Sequence, residues 1–186
     1  MKGMLVVFTE KCLGCRSCEL ACAVEHSRSR DLIKAIKEDP LPQHRVEVES
    51  VGDLTLSLQC RHCEDAPCVA VCPTQALEKH SPDSPVSLKE ELCIGCRWCI
   101  LVCPFGVIKT KRDGKAIIKC DLCEKRRKEG KEPACVEACP TGALTFMEAE
   151  KLSKQRRAEF LVSLVKSKEK IVRIKQNEST SYGESR

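Results

Sequence analysis

Four cysteines in residues 93–103 constrain this chain more than any other feature, because their spacing limits what they can bind. The run reads Cys93-Ile94-Gly95-Cys96-Arg97-Trp98-Cys99-Ile100-Leu101-Val102-Cys103-Pro104, with gaps of two, two and three residues before the proline. Thiolates with this spacing hold one iron–sulfur cluster with their first three members, while the fourth reaches to a second cluster. The run therefore predicts that its last cysteine serves a different centre from its first three.

All sixteen cysteines of the 186-residue chain fall into four groups of four, and none is left over. The groups are Cys12, Cys15, Cys18 and Cys22; Cys60, Cys63, Cys68 and Cys72; Cys93, Cys96, Cys99 and Cys103; and Cys120, Cys123, Cys135 and Cys139. Proline follows every group except the first, where Ala23 takes its place. The last two cysteines of each group are four residues apart, which on a short helix puts both on one face. The repetition predicts four sites of one kind.

Sixteen cysteines beside only six aromatic residues indicate that something other than packing helps to hold the fold together. Disulfide bonds in a secreted protein and metal centres in an intracellular one are the two explanations. The first residues show no apolar signal segment, cleavage motif or twin arginine. Apolar runs are also far shorter than the roughly 20 residues that span a bilayer. We therefore expect a soluble, cytoplasmic protein with metal-bound thiolates and no transmembrane segment.

Sets of four thiolates bind zinc, copper(I) or iron–sulfur clusters, so the number of cysteines alone leaves the metal open. Structural zinc sites usually join two Cys-x2-Cys pairs across a dozen or more residues, whereas a Cys-x2-Cys-x2-Cys loop surrounds three corners of a cube. The first and third groups form such loops, with Gly14 and Gly95 supplying backbone freedom. Directly before their second cysteine, the second and fourth groups have His62 and Leu122 instead of glycine, and their middle gaps are longer. A [3Fe-4S] cluster is therefore an alternative for these two groups. We expect four [4Fe-4S] clusters, since no ligand is missing.

Two histidines and the single tryptophan lie close to cysteines in the sequence. With sixteen thiolates available, His26 and His62 are expected to act beside the clusters or on the surface rather than as ligands. Trp98 is expected to shield a cluster from water, with docking of a partner as the alternative.

The formal net charge of +5 counts every cysteine as neutral. An all-cysteine [4Fe-4S]²⁺ centre carries about −2, so four of them would leave the loaded protein at about −3. The basic residues then compensate buried cluster charge, and we expect no nucleic-acid partner. A zinc-binding nucleic-acid module built on the basic runs at 109–112 and 155–157 is the remote alternative.

Two β-hairpins are predicted between the cysteine groups. Residues 45–51 and 54–58 alternate with the strand period and predict an inserted hairpin, and residues 107–119 predict a second one. Between the first group and the inserted hairpin, residues 32–36 predict a short helix, which Pro40 ends.

The cysteines stop before the C-terminal part of the chain. Residues 1–147 are predicted to form the cysteine-rich domain, and residues 148–176 an amphipathic helix. We expect this helix to pack on the core, with docking of a partner as the alternative. Residues 177–186 are predicted to be a disordered tail.

No sequence motif for catalysis is visible. The chain has no glycine-rich nucleotide motif, no nucleophile–base set and no pair of catalytic carboxylates that implies a substrate pocket. The cysteines are therefore expected to be redox ligands, and the chain is expected to transfer electrons between sites located elsewhere.

The four groups, with a stretched fourth one, resemble the four-cluster electron-transfer subunits of complex iron–sulfur oxidoreductases, such as the beta subunits of formate dehydrogenase, dimethyl sulfoxide reductase and hydrogenase complexes. The resemblance covers residues 4–147. It implies an α+β fold of two pseudo-symmetric ferredoxin-like bicluster modules with short strands and helices, a β-hairpin insertion and a C-terminal helix. The groups at 12–22 and 120–139 would form one module, and those at 60–72 and 93–103 the other.

The same resemblance implies the ligands of each [4Fe-4S] cluster, which we call quartets 1 to 4. Quartet 1 is Cys12, Cys15, Cys18 and Cys139; quartet 2 is Cys22, Cys120, Cys123 and Cys135; quartet 3 is Cys60, Cys63, Cys68 and Cys103; quartet 4 is Cys72, Cys93, Cys96 and Cys99. Each quartet takes three cysteines from one group and one from another.

A narrower resemblance rests on residues 18–27, the helix at 32–36 and Pro40-Leu41-Pro42. These segments are similar to the CooF-type ferredoxin-like partners of nickel carbon monoxide dehydrogenase. The resemblance implies that carbon monoxide dehydrogenase donates electrons to the chain and that a hydrogenase or a flavoprotein NAD(P)H oxidoreductase accepts them. The alternative is electron transfer within a formate dehydrogenase or hydrogenase complex.

Overall fold

The computed structural model describes residues 3–181, with side chains described up to residue 166. The chain divides into two units, of which the first ends at Phe146 and the second begins at Met147. The helices of the first unit are α1 (Ser17–Glu25), α2 (Leu32–Ala35), α3 (Pro67–Ala70), α4 (Trp98–Val102), α5 (Glu124–Lys128) and α6 (Ala134–Glu137). The strands of the chain are β1 (Met4–Val7), β2 (Val46–Val51), β3 (Leu54–Gln59), β4 (Leu77–Glu78), β5 (Ser87–Leu88), β6 (Lys109–Thr110), β7 (Ile117–Ile118) and β8 (Leu144–Met147).

The strands pair only in twos within the described residues: β1 with β8, β2 with β3, β4 with β5, and β6 with β7. The inserted hairpin is confirmed as β2 and β3, antiparallel with Val46 opposite Gln59. The second predicted hairpin is confirmed as β6 and β7, with Lys109 opposite Ile118. Two-stranded hairpins are marginal on their own in water, so such small sheets need support from elsewhere in the molecule.

Buried apolar residues form two separate sets, which we call the outer core and the inner core. The outer core contains Leu5, Cys18, Cys22, Val46, Val48, Cys120, Leu122, Cys135 and Leu144. The inner core contains Ala66, Cys68, Leu77, Val86, Cys99, Ile108 and Ile117. Helix α1 packs against α6 in the outer core, and α3 packs against α4 in the inner core. The first and fourth cysteine groups thus lie mainly in the outer core and the second and third mainly in the inner core, although Cys60 of the second group packs against the outer core. The short helices and paired strands confirm the α+β fold.

Left-handed backbone conformations recur at matching positions of the groups. Gly14 and Gly95 have φ of +67° and +68°, and the loops that contain them lead into α1 and α4. In the other two groups His62 and Leu122 take this place with φ of +49° and +56°. Glycine adopts this conformation without strain, whereas for a residue with a side chain it costs about 1 kcal/mol. The repeated turns show the pseudo-symmetry of the fold.

The first group departs from the other three because no proline follows its last cysteine. Helix α1 runs on through Ala23 to Glu25 and carries both Cys18 and Cys22. The expectation that the last two cysteines of every group share a helix is wrong for the other groups. Their final cysteines, Cys72, Cys103 and Cys139, all lie beyond the last helical residue, since the proline that follows each cannot continue a helix.

The second unit is described as one helix, α7 (Ala149–Ser181), which confirms the predicted C-terminal helix. The helix continues past residue 177, where the sequence places the start of a disordered tail, and residues 182–186 lie outside the described residues. Its apolar side chains Phe160, Leu161, Val162, Leu164 and Val165 are between 44% and 63% exposed. Within residues 3–181 no helix has the length and apolar character needed to cross a membrane.

Candidate iron–sulfur centres

The four cysteines of quartet 4 surround one small cavity. Cys93, Cys96 and Cys99 approach it from the third group, and Cys72 approaches it from the end of the second group. Apolar side chains of the inner core complete the wall, among them Leu77 and Ile117. The structure therefore brings together two groups that the sequence separates, in the combination that the resemblance implies.

A second small cavity is lined by the four cysteines of quartet 3. Cys60, Cys63 and Cys68 come from the second group, and Cys103 comes from the end of the third group. Val86 and other inner-core side chains form the rest of the wall. The second and third groups thus exchange their last cysteines between the two cavities.

The thiols of quartet 2 come together in and beside the outer core from three places in the chain. Cys22 lies in α1, Cys135 lies in α6, and Cys120 and Cys123 precede α5. Burial raises the pKa of the Cys135 thiol, and the charges of Cys120, Cys22 and Cys123 raise it further. All four side chains are buried, so their sulfurs interact in a space that excludes most water.

Three members of quartet 1 are near one another. The Ser17 hydroxyl, 3.4 Å from the Cys15 sulfur, lowers the pKa of Cys15, while burial and the charge of Cys139 oppose that shift. Burial raises the pKa of Cys18 to about 11, and Cys15 is among the charges that add to the shift. Cys12 is half-buried at the end of the single helical turn Thr9–Lys11.

The quartets also lie next to each other in pairs. Cys18 of quartet 1 adds to the raised pKa of Cys135 in quartet 2, after burial and the other thiols. Burial raises the pKa of Cys99 in quartet 4 to about 11, and the largest contributing charge is that of Cys68 in quartet 3. Each module therefore places two thiol quartets within electrostatic reach of one another.

The spacing of the sulfurs distinguishes a cluster from a single zinc ion. Zinc bound tetrahedrally at 2.3 Å holds its four thiolate sulfurs about 3.8 Å apart. Among the described residues, two groups of three potential metal ligands lie within 4.8 Å of one another, and neither contains more than one cysteine. All sixteen cysteines are described, and no three of their sulfurs lie within 4.8 Å of one another.

The buried thiols of quartet 2 need a nearby positive charge in order to ionise. Burial raises the pKa of Cys123 to about 12 and shifts that of Cys120 upward as well. Such thiols stay protonated without a nearby cation, whereas a bound metal deprotonates them outright. The ligand chemistry of quartet 2 therefore fits a positively charged metal centre.

Main-chain N–H groups point at several of the cysteine sulfurs. Arg45 donates to Cys22 over 3.2 Å, Leu122 donates to Cys120 over 3.4 Å and Leu144 donates to Cys139 over 3.5 Å. Although partial burial raises the pKa of Cys139, the N–H of Leu144 and the hydroxyl of Thr141 outweigh it and lower the pKa. Hydrogen bonds of this kind to ligating sulfur tune the reduction potentials of iron–sulfur clusters.

Each of the four histidines has a polar partner, and for His26 one of the partners is a cysteine sulfur, that of Cys22, 3.7 Å from Nδ1. His62 accepts a hydrogen bond from the N–H of Val86 at Nδ1, and burial lowers its pKa to about 3, so the ring is neutral. His26 contacts the carboxylate of Asp121 through Nε2 and the carbonyl oxygen of Cys22 through Nδ1. His44 contacts Glu47, and His80 contacts Glu78.

Trp98 covers its site only in part. Its side chain is 58% exposed, because α4 turns Cys99 inward while Trp98 and Leu101 face outward. The expected shielding by the indole ring is therefore limited.

Two charged residues beside the ligands were not predicted. Lys119 is buried directly before Cys120, and Asp121 follows that cysteine. The carboxylate of Asp121 accepts hydrogen bonds from Arg45 at 2.7 Å and from the N–H of Cys123 at 2.9 Å. Burial raises the pKa of Asp121, but contact with His26 and the charge of Arg45 outweigh it and hold the pKa well below its usual range. The only signal in the sequence that could have identified Lys119 and Asp121 was their position on either side of the proposed ligand Cys120.

Comparison with known proteins also points to iron–sulfur chemistry. Residues 51–149 match the model of the 4Fe-4S dicluster domain family. An "Iron-sulfur protein" of Rhodospirillum rubrum is 45% identical over 154 residues, which are 76% of this chain and 80% of that protein. Electron transport protein HydN of Escherichia coli (strain K12) is 35% identical over 169 residues, 83% of this chain and 93% of HydN. A subunit of the anaerobic dimethyl sulfoxide reductase of the same strain is 37% identical over 152 residues, 79% of this chain and 74% of that subunit.

Proposed function

We propose a function from one premise: this chain belongs to the 4Fe-4S dicluster domain family. It is an iron–sulfur electron-transfer protein, similar to named electron transport proteins and to a subunit of an oxidoreductase complex. Bound clusters accept and release single electrons without making or breaking substrate bonds. The protein supplies thiolates, hydrogen bonds to sulfur and apolar walls, and in our proposal it contributes no catalytic residue of its own.

Quartets 1 to 4 are the proposed ligands of four [4Fe-4S] clusters. The observation that carries this proposal is that each of two cavities is lined by a complete quartet whose members come from two cysteine groups. The mutual pKa shifts of the buried thiols support quartet 2, and the electrostatic interaction between Cys15 and Cys139 supports quartet 1.

Chemical analysis tests the cofactor. Anaerobically purified protein should be brown and contain about 16 iron and about 16 acid-labile sulfide per chain, as four [4Fe-4S] clusters require. A colourless protein with stoichiometric zinc would reject the proposal and favour a zinc-binding module. Iron lower by about one atom for each affected cluster at unchanged sulfide, with a [3Fe-4S] signal in electron paramagnetic resonance (EPR), would change the proposed type of those clusters.

The proposed electron donor is a nickel carbon monoxide dehydrogenase, and the proposed acceptor is a hydrogenase or a flavoprotein NAD(P)H oxidoreductase in the cytoplasm. Support comes from residues 18–27, the helix α2 and Pro40-Leu41-Pro42, whose sequence is similar to the ferredoxin-like partners of that dehydrogenase. Stopped-flow mixing with CO-reduced dehydrogenase should bleach the visible absorption of this protein. Absence of bleaching, with dithionite bleaching the same sample, would reject the donor.

A second candidate function is an electron-transfer subunit of a formate dehydrogenase or hydrogenase complex. The similarity to the dimethyl sulfoxide reductase subunit favours a place within a multi-subunit oxidoreductase. Purification of a tagged chain from native cells under anaerobic conditions distinguishes the two candidates. Co-purification with a formate dehydrogenase or hydrogenase catalytic subunit, and without carbon monoxide dehydrogenase, would favour the second.

A further inference from the structure

We propose that Lys119 is a buried positive charge that raises the reduction potentials of two of the four clusters, those of quartets 2 and 3. Its side chain lies between the two modules and belongs to no predicted ligand set. This inference rests on the proposed ligand sets, and it assigns a tuning role to a residue outside them.

The burial of Lys119 is unusual for its residue type. Lysine is almost never fully buried unless it is paired, yet Lys119 is only 3% exposed. Its ammonium group donates hydrogen bonds to the carbonyl oxygens of Val86 and of Cys120, the latter over 2.9 Å. Within the described part of the chain no carboxylate forms an ion pair with it. The charge that balances this ammonium must therefore come from another source.

The two carbonyl partners place the ammonium group at the boundary between the modules. Val86 belongs to the inner core and lines the cavity of quartet 3. Cys120 belongs to the outer core and is a member of quartet 2. The nitrogen of Lys119 thus contacts the wall of one proposed cluster site and the backbone of a ligand in the other.

The contacts of the ammonium group single out the same two quartets. Cys120, whose carbonyl oxygen accepts the 2.9 Å hydrogen bond, is a proposed ligand of quartet 2. Val86, the other partner, lines the cavity of quartet 3 and is not among the residues that line the cavity of quartet 4. The positive charge of Lys119 therefore acts more directly on quartets 2 and 3 than on quartets 1 and 4.

Reduction adds one negative charge to a cluster, so a nearby fixed cation favours the reduced state. This attraction is stronger inside a protein than in water and is little screened by salt, because the local dielectric is low. Net charge around the cluster is one of the factors that set its potential. The charge of Lys119 should accordingly make the reduced state of quartets 2 and 3 more favourable than it would be without this lysine.

The test is an anaerobic redox titration followed by EPR on the intact, cluster-loaded protein. Lys119→Met removes the charge and keeps the length of the side chain, and Lys119→Arg keeps the charge. Lys125→Met is the matched control, because Lys125 also lies in the fourth group, five residues after Cys120, but at a more accessible position. Cys60→Ser and Cys123→Ser assign the transitions of quartets 3 and 2.

We expect Lys119→Met to move the midpoint potentials of quartets 2 and 3 to more negative values and to leave the other two in place. Lys119→Arg should keep all four closer to those of the unsubstituted protein, and Lys125→Met should move none. Four unmoved potentials in Lys119→Met, or an equal shift of all four, would overturn the role of Lys119.

Two further outcomes are decisive. If Lys119→Met loses the clusters of quartets 2 and 3 while Lys119→Arg retains them, the positive charge is required at those two sites, which supports the proposal. Loss of all four clusters in both variants would overturn it in favour of a packing role. Failure to find four transitions in the unsubstituted protein would reject the proposed ligand sets instead, so the two failures are distinguishable.

Discussion

Glu47 in β2 forms an ion pair with Lys109 in β6, and this contact joins the inserted hairpin to the second hairpin. The strand that carries Glu47 packs in the outer core through Val46 and Val48, whereas β6 follows Ile108 of the inner core. The amide of Gln43 adds a hydrogen bond to the carbonyl oxygen of Thr110 at 3.3 Å. Polar contacts therefore connect the two modules at this boundary, as Lys119 does deeper inside.

Removing the charge of Glu47 should weaken this connection by a modest amount. The side chains of Glu47 and Lys109 are 29% and 28% exposed, so solvent screens the pair and its contribution should be about 1 kcal/mol or less. For a chain of this size, that corresponds to a drop of at most about 2–4 °C in the melting temperature of Glu47→Gln. Anaerobic thermal melting at low salt measures the drop.

The matched control for Glu47→Gln is Glu124→Gln, which breaks the exposed pair between Glu124 and Lys128. We expect that control to melt within error of the unsubstituted protein. High salt should shrink the difference at Glu47 because it screens partly exposed charges. A difference that grows with salt, or one as large at Glu124, would contradict a stabilising role for the contact between modules.

Replacing Cys139 should damage the cluster of the first cysteine group rather than that of its own group. In the proposed ligand sets, Cys139→Ser and Cys15→Ser remove ligands of one cluster, whereas Cys135→Ser removes a ligand of another. EPR of the reduced variants should therefore show the same altered signal in the first two and a different one in the third. If Cys139→Ser and Cys135→Ser alter the same signal, quartets 1 and 2 are wrongly divided.

Gly95 should tolerate alanine less well than Gly106, although both have positive φ. A Cβ at Gly95 would lie 2.8 Å from the carbonyl oxygen of Lys115, whereas a Cβ at Gly106 meets nothing within 4 Å. Both substitutions carry a conformational cost of about 1 kcal/mol, but only Gly95→Ala must also displace the turn between β6 and β7. We expect Gly95→Ala to lower the melting temperature further and to reduce iron per chain through quartet 4. Equal effects of the two variants would show that the contact with Lys115 does not matter.

Local pattern predicts the short elements of this fold but not the contacts between them. Alternation of apolar and polar residues identifies β2 and β3, and cysteine spacing identifies the four groups, because both depend on neighbours in the chain. The burial of Lys119 and the exposure of Trp98 depend on how α4, β5 and β7 meet, which no local spacing encodes. The exchange of Cys72 and Cys103 between cavities is likewise a long-range contact. The local spacing predicts that Cys103 serves a second centre, but only the family resemblance implied which centre that is.

We expect that the first group cannot accept proline at position 23, where the chain has Ala23, without loss of stability. Helix α1 needs the N–H of residue 23, and a proline ring there would also clash with the carbonyl oxygen of Glu19, at a cost of about 3 kcal/mol. The carboxylate of Glu19 accepts a hydrogen bond from the N–H of Val48 at 2.6 Å, so a distorted α1 would also disturb β2.

We therefore expect Ala23→Pro to lower the melting temperature and to lose the cluster that depends on Cys22, measured as iron per chain and as one missing EPR signal. The control Ala23→Gly removes the methyl group but keeps the N–H, and should cost only about 1 kcal/mol without loss of iron. Proline would make this group match the other three in sequence, so an intact set of clusters in Ala23→Pro would show that α1 can end at Cys22. The extension of α1 would then have no role in holding quartet 2.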